Sequence, residues 1–390
     1  MATAIFDIPL AEAHRDRVCA EGYGKAQFIL REGPRPVGTV TVPVVGGRVS
    51  GWSVLRAIRD ETVALAAAER SDPRSAKPGR ARTTGTAAIC TRERPDDLRR
   101  CLAALVGANA GAEILVVDNA PATGATRDVA AGFPQVRYVM EPAKGLDNAR
   151  NRALQEARTE VVAFIDDDAV ADRYWLQAIL RPFDRADVAV VTGLTLPYEL
   201  ENDAQEEFEE FAGFSRRGFR RREFRLPHTN PLHTGPVGAG ANMAVRRSVI
   251  AEIGPFDPAL DAGTPTLSGG DHEFFSRVLR AGHSIVYEPA AMNRHRHRRT
   301  RKDMIDAVRG YGTGTYALFT RTLLEERDPG VLRMALGWFY HDQFPDLLRG
   351  LTRSGAGRPL DVVLAELRGC LAGPRAYHRA RRIARGAKLG

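Results

Sequence analysis

The sequence predicts an α/β fold with a Rossmann-like, mixed but mostly parallel sheet flanked by helices. Between residues 86 and 168, short apolar segments alternate with helical patterns, as is typical of parallel strands joined by helical crossovers. The apolar run VVAFI, which starts at Val161, ends in three consecutive carboxylates. Strands that are apolar on both faces belong in sheets covered by helices, and ligands bind beyond their carboxyl ends. We therefore expect a site at that edge of the sheet.

The strands and helices of this core follow from local patterns, taken in chain order. Thr86 opens an apolar strand that breaks into a polar turn after Thr91, and a helical pattern follows. A second strand ends at Asp118, a third has the sequence QVRYVMEP, and Gly145 opens a helix that leads into the strand before Asp166. The strand ends near Thr91, Asp118 and Asp166 should therefore line one edge of the sheet.

The acidic run Asp166, Asp167 and Asp168 is a candidate metal site. In an extended segment alternate side chains share a face, so Asp166 and Asp168 can converge while Asp167 points away. Two carboxylates suit a hard cation such as Mg²⁺ or Mn²⁺, which leaves coordination positions open for substrate phosphates. A solvated acidic turn or a helix start is the alternative for this segment.

Seven motifs occur in order between about residues 84 and 297: ICTRERP, VVDNA, GLDNARNRAL, FIDDDA, GAGANMAVRR, GGDHEFFSRVLRAG and IVYEPAAMNRH. Together they resemble the family 2 inverting glycosyltransferases, which have the GT-A fold. The resemblance implies a metal-dependent enzyme that moves a sugar from a nucleotide-diphosphate sugar, a UDP-sugar by default, to an acceptor hydroxyl. The implied cofactor is Mn²⁺ or Mg²⁺, and the acceptor would be a cell-surface glycan, a glycolipid or a secondary metabolite.

The resemblance also implies which residues contact the donor. The base would lie near Thr91 and Arg92, with Asp118 accepting a hydrogen bond from its edge. Arg150 corresponds to the basic residue on the donor side of the family's site. The leaving nucleoside diphosphate carries extra negative charge, so the metal and Arg150 would stabilise charge that develops in the transition state.

Asp271 is the candidate catalytic base. An inverting displacement needs a group on the opposite face of the sugar that removes a proton from the acceptor hydroxyl. Asp271 opens a helical pattern with an apolar face, after two glycines. The family usually has a glutamate just before this aspartate, whereas this sequence has Gly270. Glu273 is therefore the alternative base, and both acids could instead only cap the helix.

His295 and His297 share one face of an extended segment, a spacing that a metal-binding pair can have. The resemblance maps the family's histidine to His295, which makes Asp166, Asp168 and His295 the expected metal ligands and His297 the alternative. Asp166 would lie nearer the sugar and the ribose. A basic surface run is the other interpretation. Six nearby cations could contact phosphates or order a lid over the donor: Arg294, Arg296, Arg298, Arg299, Arg301 and Lys302.

The glycines that start at Gly238 do not form a dinucleotide-binding fingerprint, because Met243 stands where the third glycine would be. Small residues around Asn242 instead suit a backbone that passes close to a bound sugar. The resemblance places this segment, and with it Asn242, beside the donor sugar and the acceptor. A tight packed turn is the alternative.

The length of 390 residues allows one large α/β domain with appendages. We expect a small β-containing module at 1–70, a polar, basic linker at 71–85, a catalytic domain at 86–300 and a helical region with a basic tail at 301–390. Four widely spaced cysteines favour reduced thiols in a cytoplasmic protein. No stretch has the length of a transmembrane helix, and the N-terminus lacks a signal-peptide pattern.

The formal net charge of +8 is concentrated in basic patches at 216–225, 294–302 and 375–388. Such patches can bind nucleic acid, anionic lipid or phosphorylated substrates. Nucleic acid is the weakest candidate and is not expected, since no recognition motif accompanies the patches. The tail carries Leu371, Tyr377 and Ile383 among arginines, so it could lie on the inner face of an anionic membrane. A solvated surface helix is the alternative.

Two other classes of protein fit parts of the pattern. Carboxylates at strand ends also serve metal-dependent phosphohydrolases and nucleotidyltransferases. A noncatalytic nucleotide- or glycan-binding protein on the same fold is the third possibility, and Gly270 in place of the usual glutamate supports it. Release of a nucleoside diphosphate only when an acceptor is present would favour the transferase.

Overall fold

The computed structural model describes residues 2–69, 81–108, 112–352 and 358–386, with the backbone alone at 61–69 and 352. The linker expected at 71–85 falls outside these ranges except for its last five residues. There the backbone N–H groups of Arg82 and Thr83 donate to the Asp184 carboxylate. Gly85 already belongs to the first strand of the main sheet.

A small β-sheet precedes the main sheet, as expected for the N-terminal module. Its first strand runs parallel to the strand at Tyr23–Glu32, which pairs antiparallel with the next one. The elements are β1 (Ala2–Pro9), β2 (Arg17–Val18), β3 (Tyr23–Glu32), β4 (Arg35–Pro43), β5 (Arg48–Val49) and the helix α1 (Gly51–Glu69).

The main sheet has nine strands in the described part of the chain, and it confirms the prediction of a mixed but mostly parallel sheet. Its strands are β6 (Gly85–Thr91), β7 (Glu113–Asn119), β8 (Val136–Glu141), β9 (Val161–Ile165), β10 (Ala169–Ala171), β11 (Val188–Pro197), β12 (Arg222–Phe224), β13 (Asn242–Arg246) and β14 (Ser284–His295). Their order is β10-β14-β11-β13-β9-β6-β7-β8, and β12 pairs with β14. The strands β9, β6, β7 and β8 are parallel, whereas β13 runs antiparallel to both of its neighbours.

Helices cover both faces of this sheet because alternate strand residues point to opposite sides. Ile89 and Ile165 face one apolar layer with α2 and α5, whereas Ala88 and Phe164 face a second layer with α4 and α8. The helices are α2 (Pro95–Ala108), α3 (Ala125–Ala131), α4 (Leu146–Glu156), α5 (Trp175–Leu180), α6 (Asp203–Ala212), α7 (Ile250–Ile253) and α8 (Gly270–Arg280).

Neighbouring strands end at the same edge of the sheet, as predicted. Thr91, the last residue of β6, lies opposite Asp118 of β7. Phe164 of β9 lies opposite Ala88 of β6, so that Asp166 follows at the same edge. The register of the strands thus positions the predicted site.

The described residues of the C-terminal region form the helices α9 (Arg301–Glu325), α10 (Gly330–Trp338), α11 (Phe344–Thr352) and α12 (Leu360–Gly386). A π-helical turn at Phe339–Gln343 joins α10 to α11. A Cβ atom on Gly312 or Gly369 would overlap backbone atoms of the other helix of the α9–α12 pair, so glycine permits their close packing. No helix in the described part of the chain has the length and apolar character needed to cross a membrane.

The N-terminal module packs against the main sheet. Ile29 of β3 lies in an apolar cluster with Leu194 and Tyr287 from β11 and β14. Arg31 donates from Nη2 to the Asp172 carboxylate at 2.6 Å, just after β10. The module therefore contacts the side of the sheet that carries β10 and β14.

Candidate active site

Asp166, Asp168 and His295 meet at the carboxyl edge of the sheet. Each offers one ligand atom, and these atoms lie within 4.8 Å of one another. His295 Nε2 is 3.0 Å from Asp168 Oδ1 and 3.8 Å from Asp166 Oδ2. Antiparallel pairing of β10 with β14 places His295 opposite Ala169, directly after the acidic run. The site can hold a divalent cation, because two oxygen donors and one imidazole nitrogen suit Mn²⁺.

Solvent reaches the cluster mainly at Asp166. The side chain of Asp166 is 35% exposed, whereas that of Asp168 is 5% exposed. Burial alone would lower the pKa of His295, but the charges of Asp168 and Asp166 outweigh it and raise that pKa. A ligand could therefore reach the cluster from the side of Asp166.

Arg94 also contacts the acidic run, a role that was not predicted from the sequence. Its Nη1 donates to Asp167 at 3.1 Å and to Asp168 at 3.0 Å, so one guanidinium offsets two of the three carboxylates. Thr91, expected near the base, instead donates its hydroxyl to Asp167 at 2.7 Å. Burial is the largest cause that raises the pKa of Asp167 to about 7. Asp167 thus points away from the metal cluster, and its bonds to Thr91 and Arg94 hold the acidic run in place.

His297 does not join the metal cluster. Its side chain is 1% exposed, and Nε2 lies 2.7 Å from the carboxylate of Glu209 on α6. The imidazole also packs against Phe208, with ring centroids 4.7 Å apart. Its role as an alternative metal ligand is therefore wrong, because α6 holds the side chain away from the acidic run.

Asp271 lies in the first turn of α8, where the sequence predicts a base. Its Oδ2 accepts from the backbone N–H of Gly240 at 2.6 Å, and its Oδ1 accepts from that of His272 at 2.8 Å. Burial favours the neutral acid, but the charges of His272 and Arg150 and the two N–H donors outweigh it, and the pKa of Asp271 is lowered. The carboxylate is therefore ionised at neutral pH.

Glu273 is not available as the alternative base. It is 1% exposed and forms ion pairs with Arg277 at 2.6 Å and Arg321 at 2.9 Å. The glycine at position 270 has a steric explanation, because a Cβ atom there would collide with the buried carboxylate of Asp147. Because Glu273 is buried and position 270 is a glycine, Asp271 is the accessible acid of α8.

Arg150, which the resemblance places beside the diphosphate, is buried and paired with two carboxylates. Only 4% of its side chain is exposed, and Nη1 pairs with Asp147 at 2.9 Å and Asp261 at 2.5 Å. Its guanidinium lies directly under Gly240, where a Cβ atom would collide with it. Two carboxylates already offset its charge, so Arg150 supports the segment that holds Asp271.

Asn242 is also a structural residue rather than a sugar contact. It is fully buried, and its side-chain amide donates to the carbonyls of Leu194 and Ala291, each at 2.9 Å. Its side-chain oxygen accepts from Trp175 Nε1 at 2.8 Å. These bonds tie β13 to β11, β14 and α5, which leaves the side chain no free donor for a ligand.

The expected base contacts differ in accessibility. Arg92 is exposed beside the end of β7, where its Nε donates to the Ala120 carbonyl at 3.3 Å. Asp118 is fully buried, and Tyr138 donates its hydroxyl to Oδ2 at 2.9 Å. Burial is the main cause that raises the pKa of Asp118. Of these two residues, only Arg92 is exposed to a nucleotide base in this structure.

Most cations of the expected lid are engaged in ion pairs. Arg296 pairs with Asp97, Arg299 with Glu199 and Arg301 with Asp361. Arg298 is exposed and forms no ion pair with a described residue, while its charge lowers the pKa values of Asp168 and His295. Arg298 can thus still meet an anion beside the metal cluster.

Residues 86–254 match the model of the family described as Glycosyl transferase family 2. This part of the chain is therefore similar to that family. The match agrees with the resemblance carried by the seven motifs, and the main sheet is mixed and mostly parallel, as that resemblance implied. The matched range contains the acidic run and Gly240, while Asp271 and His295 follow it in sequence.

Two curated glycosyltransferases are similar to this chain. A pre-mycofactocin glycosyltransferase of Mycobacterium tuberculosis is 28% identical over 270 residues, which are 68% of this chain and 54% of that protein. The glycosyltransferase AglE of Haloferax volcanii is 23% identical over 201 residues, which are 49% of this chain and 60% of that protein. The chain spans little more than half the length of these relatives.

Two solved structures show partial likeness to the chain. The mannosyltransferase PcManGT from Pyrobaculum calidifontis, in complex with GDP-Man and Mn²⁺, has a TM-score of 0.47 and 18% identity, covering 81% of this chain and 80% of that one. GalNAc-T7 with UDP, GalNAc and Mn²⁺ has a TM-score of 0.44 and 14% identity, covering 68% and 58%.

Proposed function

We propose that the chain is a metal-dependent inverting glycosyltransferase that uses a nucleotide-diphosphate sugar, a UDP-sugar by default. The observation that carries this proposal is the cluster of Asp166, Asp168 and His295 at the carboxyl edge of a family 2 domain. Mn²⁺ or Mg²⁺ held there would stabilise the negative charge of the departing nucleoside diphosphate. The acceptor would be a hydroxyl of a glycan, a lipid-linked sugar or a small molecule.

Asp271 is the group that we assign to proton removal from the acceptor. Two backbone N–H groups fix its carboxylate, and its lowered pKa keeps it ionised at neutral pH. Arg150 holds the Gly240 segment from below, so the base has little freedom to rotate. A fixed, ionised carboxylate is what general-base catalysis requires.

Arg298 takes the place of Arg150 in our assignment of the cation beside the diphosphate. It is exposed, forms no ion pair with a described residue, and acts electrostatically on Asp168. Its position three residues after His295 puts a positive charge beside the cluster. Such a charge would add to that of the cation on the leaving group.

The first experiment is a thermal-shift screen of nucleoside diphosphates with Mn²⁺, because a ligand that binds the native state raises its apparent stability. We expect stabilisation by one nucleotide that depends on the metal. Donor turnover should then require an acceptor. Release of the nucleoside diphosphate without any acceptor would favour the phosphohydrolase or nucleotidyltransferase, and binding without turnover would favour a noncatalytic protein.

Peripheral contact with an anionic membrane is a second proposal, and an exposed apolar stripe favours it. Six large apolar side chains on the helical stretch from α10 to α11 are 40% to 61% exposed. An α-helix turns by about 100° per residue, so side chains spaced four residues apart gradually move around the helix axis. The π-helical turn has more residues per turn, and it therefore brings these side chains back to one face. The stripe consists of Leu332, Leu336, Tyr340, Phe344, Leu348 and Leu351.

A further inference from the structure

Arg217 ends the short helical turn at Phe214–Arg217, after α6. Its Nη2 donates to the carbonyl of Gly238 at 2.8 Å, and its Nε donates to that of Gly235 at 3.2 Å. Both acceptors precede Gly240, whose N–H binds Asp271. Arg217 and Asp271 are therefore attached to the same glycine-rich segment.

The charge of Arg217, like that of Arg298, has no counter-ion among the described residues, which sets it apart from Arg94 and Arg150. Arg94 and Arg150 each pair with two carboxylates. The bonds of Arg217 go to neutral carbonyls instead, and burial lowers its pKa while Asp271 acts against that shift. A guanidinium keeps its proton in proteins, so the positive charge remains.

Arg217 also lies between the two halves of the site. Its guanidinium carbon is 5.8 Å from the centroid of the Phe214 ring, and that ring is 5.6 Å from the imidazole of His295. The glycine-rich segment links it to Asp271 on the other side. The residue thus stands between the metal cluster and the base, where donor and acceptor would meet.

We propose that Arg217 binds an oxyanion of a substrate, a phosphate or a carboxylate, beside the reacting groups. A guanidinium presents several N–H donors in a planar fork that matches such groups, and two of its nitrogens already bind carbonyls that fix its direction. The oxyanion comes either from the donor diphosphate or from an acidic acceptor. This inference rests on the proposed function, because it names the chemistry that the same site recognises.

The competing role for Arg217 is purely structural, and Arg247 supplies a matched control. Arg247 also donates to two backbone carbonyls, those of Leu154 at 2.8 Å and Thr159 at 3.1 Å. It lies just after β13, at the end opposite Asn242, away from the site. A variant of Arg247 therefore reports the cost of losing such bonds alone.

The test uses the full chain with Arg217→Gln, Arg217→Lys and Arg247→Gln. Two titrations are made by calorimetry at constant ionic strength: UDP or GDP with Mn²⁺, and inorganic phosphate added to protein with and without the Mn²⁺ nucleotide. We expect Arg217→Gln to weaken one of them about ten- to a hundred-fold, as for a lost hydrogen bond to a charged group. Arg217→Lys should retain part of that affinity, and Arg247→Gln should retain all of it.

The arms of the experiment separate the sources of the oxyanion. Weaker nucleotide binding assigns the donor diphosphate to Arg217, whereas weaker phosphate binding to the nucleotide-loaded protein assigns an acidic acceptor. Unchanged affinities in Arg217→Gln, or equal losses in Arg217→Gln, Arg217→Lys and Arg247→Gln, would overturn the inference. If the wild-type chain binds phosphate through Arg217 but no nucleotide with Mn²⁺, the proposed function fails while the oxyanion site stands.

Discussion

Asp271 shows how one side chain becomes a candidate base through its neighbours. The N–H groups of Gly240 and His272 both point at its carboxylate, and hydrogen bonds to the charged form lower a pKa. Arg150 adds positive charge from below but is itself paired with Asp147 and Asp261. The site therefore contains an ionised acid beside a cation that a substrate cannot reach.

Replacing Asp271 with Asn should separate binding from chemistry. The amide keeps the shape of the side chain but cannot accept the proton, so transfer should fall by about two to four orders of magnitude. Affinity for the Mn²⁺ nucleotide should stay within a few-fold of wild type. Steady-state transfer assays with calorimetry measure both, and an active Asp271→Asn enzyme would contradict the assignment.

Replacing Glu273 with Gln should act on stability rather than on transfer. The change removes the charge that faces Arg277 and Arg321 in a buried network, and breaking such a pair costs about 3–5 kcal/mol. Thermal melting should show a clear fall in midpoint, with kcat near wild type below that temperature. A stable but inactive variant would return the base to Glu273.

Replacing Asp168 with Ala or Asn should abolish the Mn²⁺ dependence of nucleotide binding. The variant loses one of three ligand atoms in the cluster, while the remaining carboxylate and imidazole form an incomplete set. Calorimetry with UDP and GDP measures the effect, and circular dichroism checks the fold. The exposed Asp128 on α3 is the control, and Asp128→Ala should bind as wild type does. Unchanged metal-dependent affinity in both Asp168 variants would remove the proposed metal site.

At the scale of elements, close packing of α9 against α12 depends on glycines that lie outside the sequence motifs of the site. Gly312 and Gly369 face the backbone of the partner helix, where a methyl group has no room. Tyr377 and Ala380, further along α12, pack with Ala259 and Leu260 ahead of the segment that leads to Asp271. The C-terminal helices therefore support the side of the catalytic domain that carries the base.

Gly369→Ala should destabilise the protein, because its Cβ atom would overlap the carbonyl of Arg309. Overpacking of this kind costs about 1–3 kcal/mol. Gly337, within α10, is the matched control, since a Cβ atom there meets nothing within 4 Å. Gly337→Ala should be neutral or slightly stabilising, as alanine is the better helix former. Equal melting temperatures of the two variants would show that α9 and α12 pack more loosely than described.

At the scale of the whole molecule, the apolar stripe and the basic C-terminal helix suggest different contributions to membrane contact. Leu371 and Ile383 are 82% and 55% exposed on α12, as expected for a surface that meets lipid, but Tyr377 is 2% exposed and packs inward. The expectation that Tyr377 lies on the membrane is therefore wrong. Deleting the chain after Pro374 would remove core packing, so substitutions are the cleaner test.

Leu336→Glu with Tyr340→Glu should weaken binding to anionic vesicles, because both side chains lie in the exposed stripe. Arg379→Gln with Arg382→Gln should weaken binding at low salt alone, since each surface cation contributes about 1 kcal/mol and salt screens it. Co-sedimentation at low and high salt measures both effects, and nucleotide affinity is the control. If the wild-type chain does not sediment with vesicles at low salt, the membrane proposal is refuted.

The sequence by itself determined the strand and helix order, the common edge of the strand ends and the resemblance to a known family. Periodicity and apolar runs are local, and parallel strands of known order end at one edge, so Thr91, Asp118 and Asp166 could be placed without coordinates. The sequence also predicted that Asp166 and Asp168 converge, and the structure brings both together with His295. They converge in a turn after β9, closed by the Ala169 N–H donating to the Asp166 carbonyl, and not in the extended segment that the prediction assumed.

Only the tertiary structure decided which polar side chains remain available to a ligand. Arg150, Glu273 and His297 fit functional motifs, yet partners distant in sequence occupy them: Asp261, Arg321 and Glu209. Asn242 is held in the same way by Trp175. Spacing along the chain states which residues share a face, but it does not state which charge will lie opposite. Whether a side chain is available to a ligand depends on how it packs. For that reason the contacts of Arg94 and Arg217 could be found only in the structure.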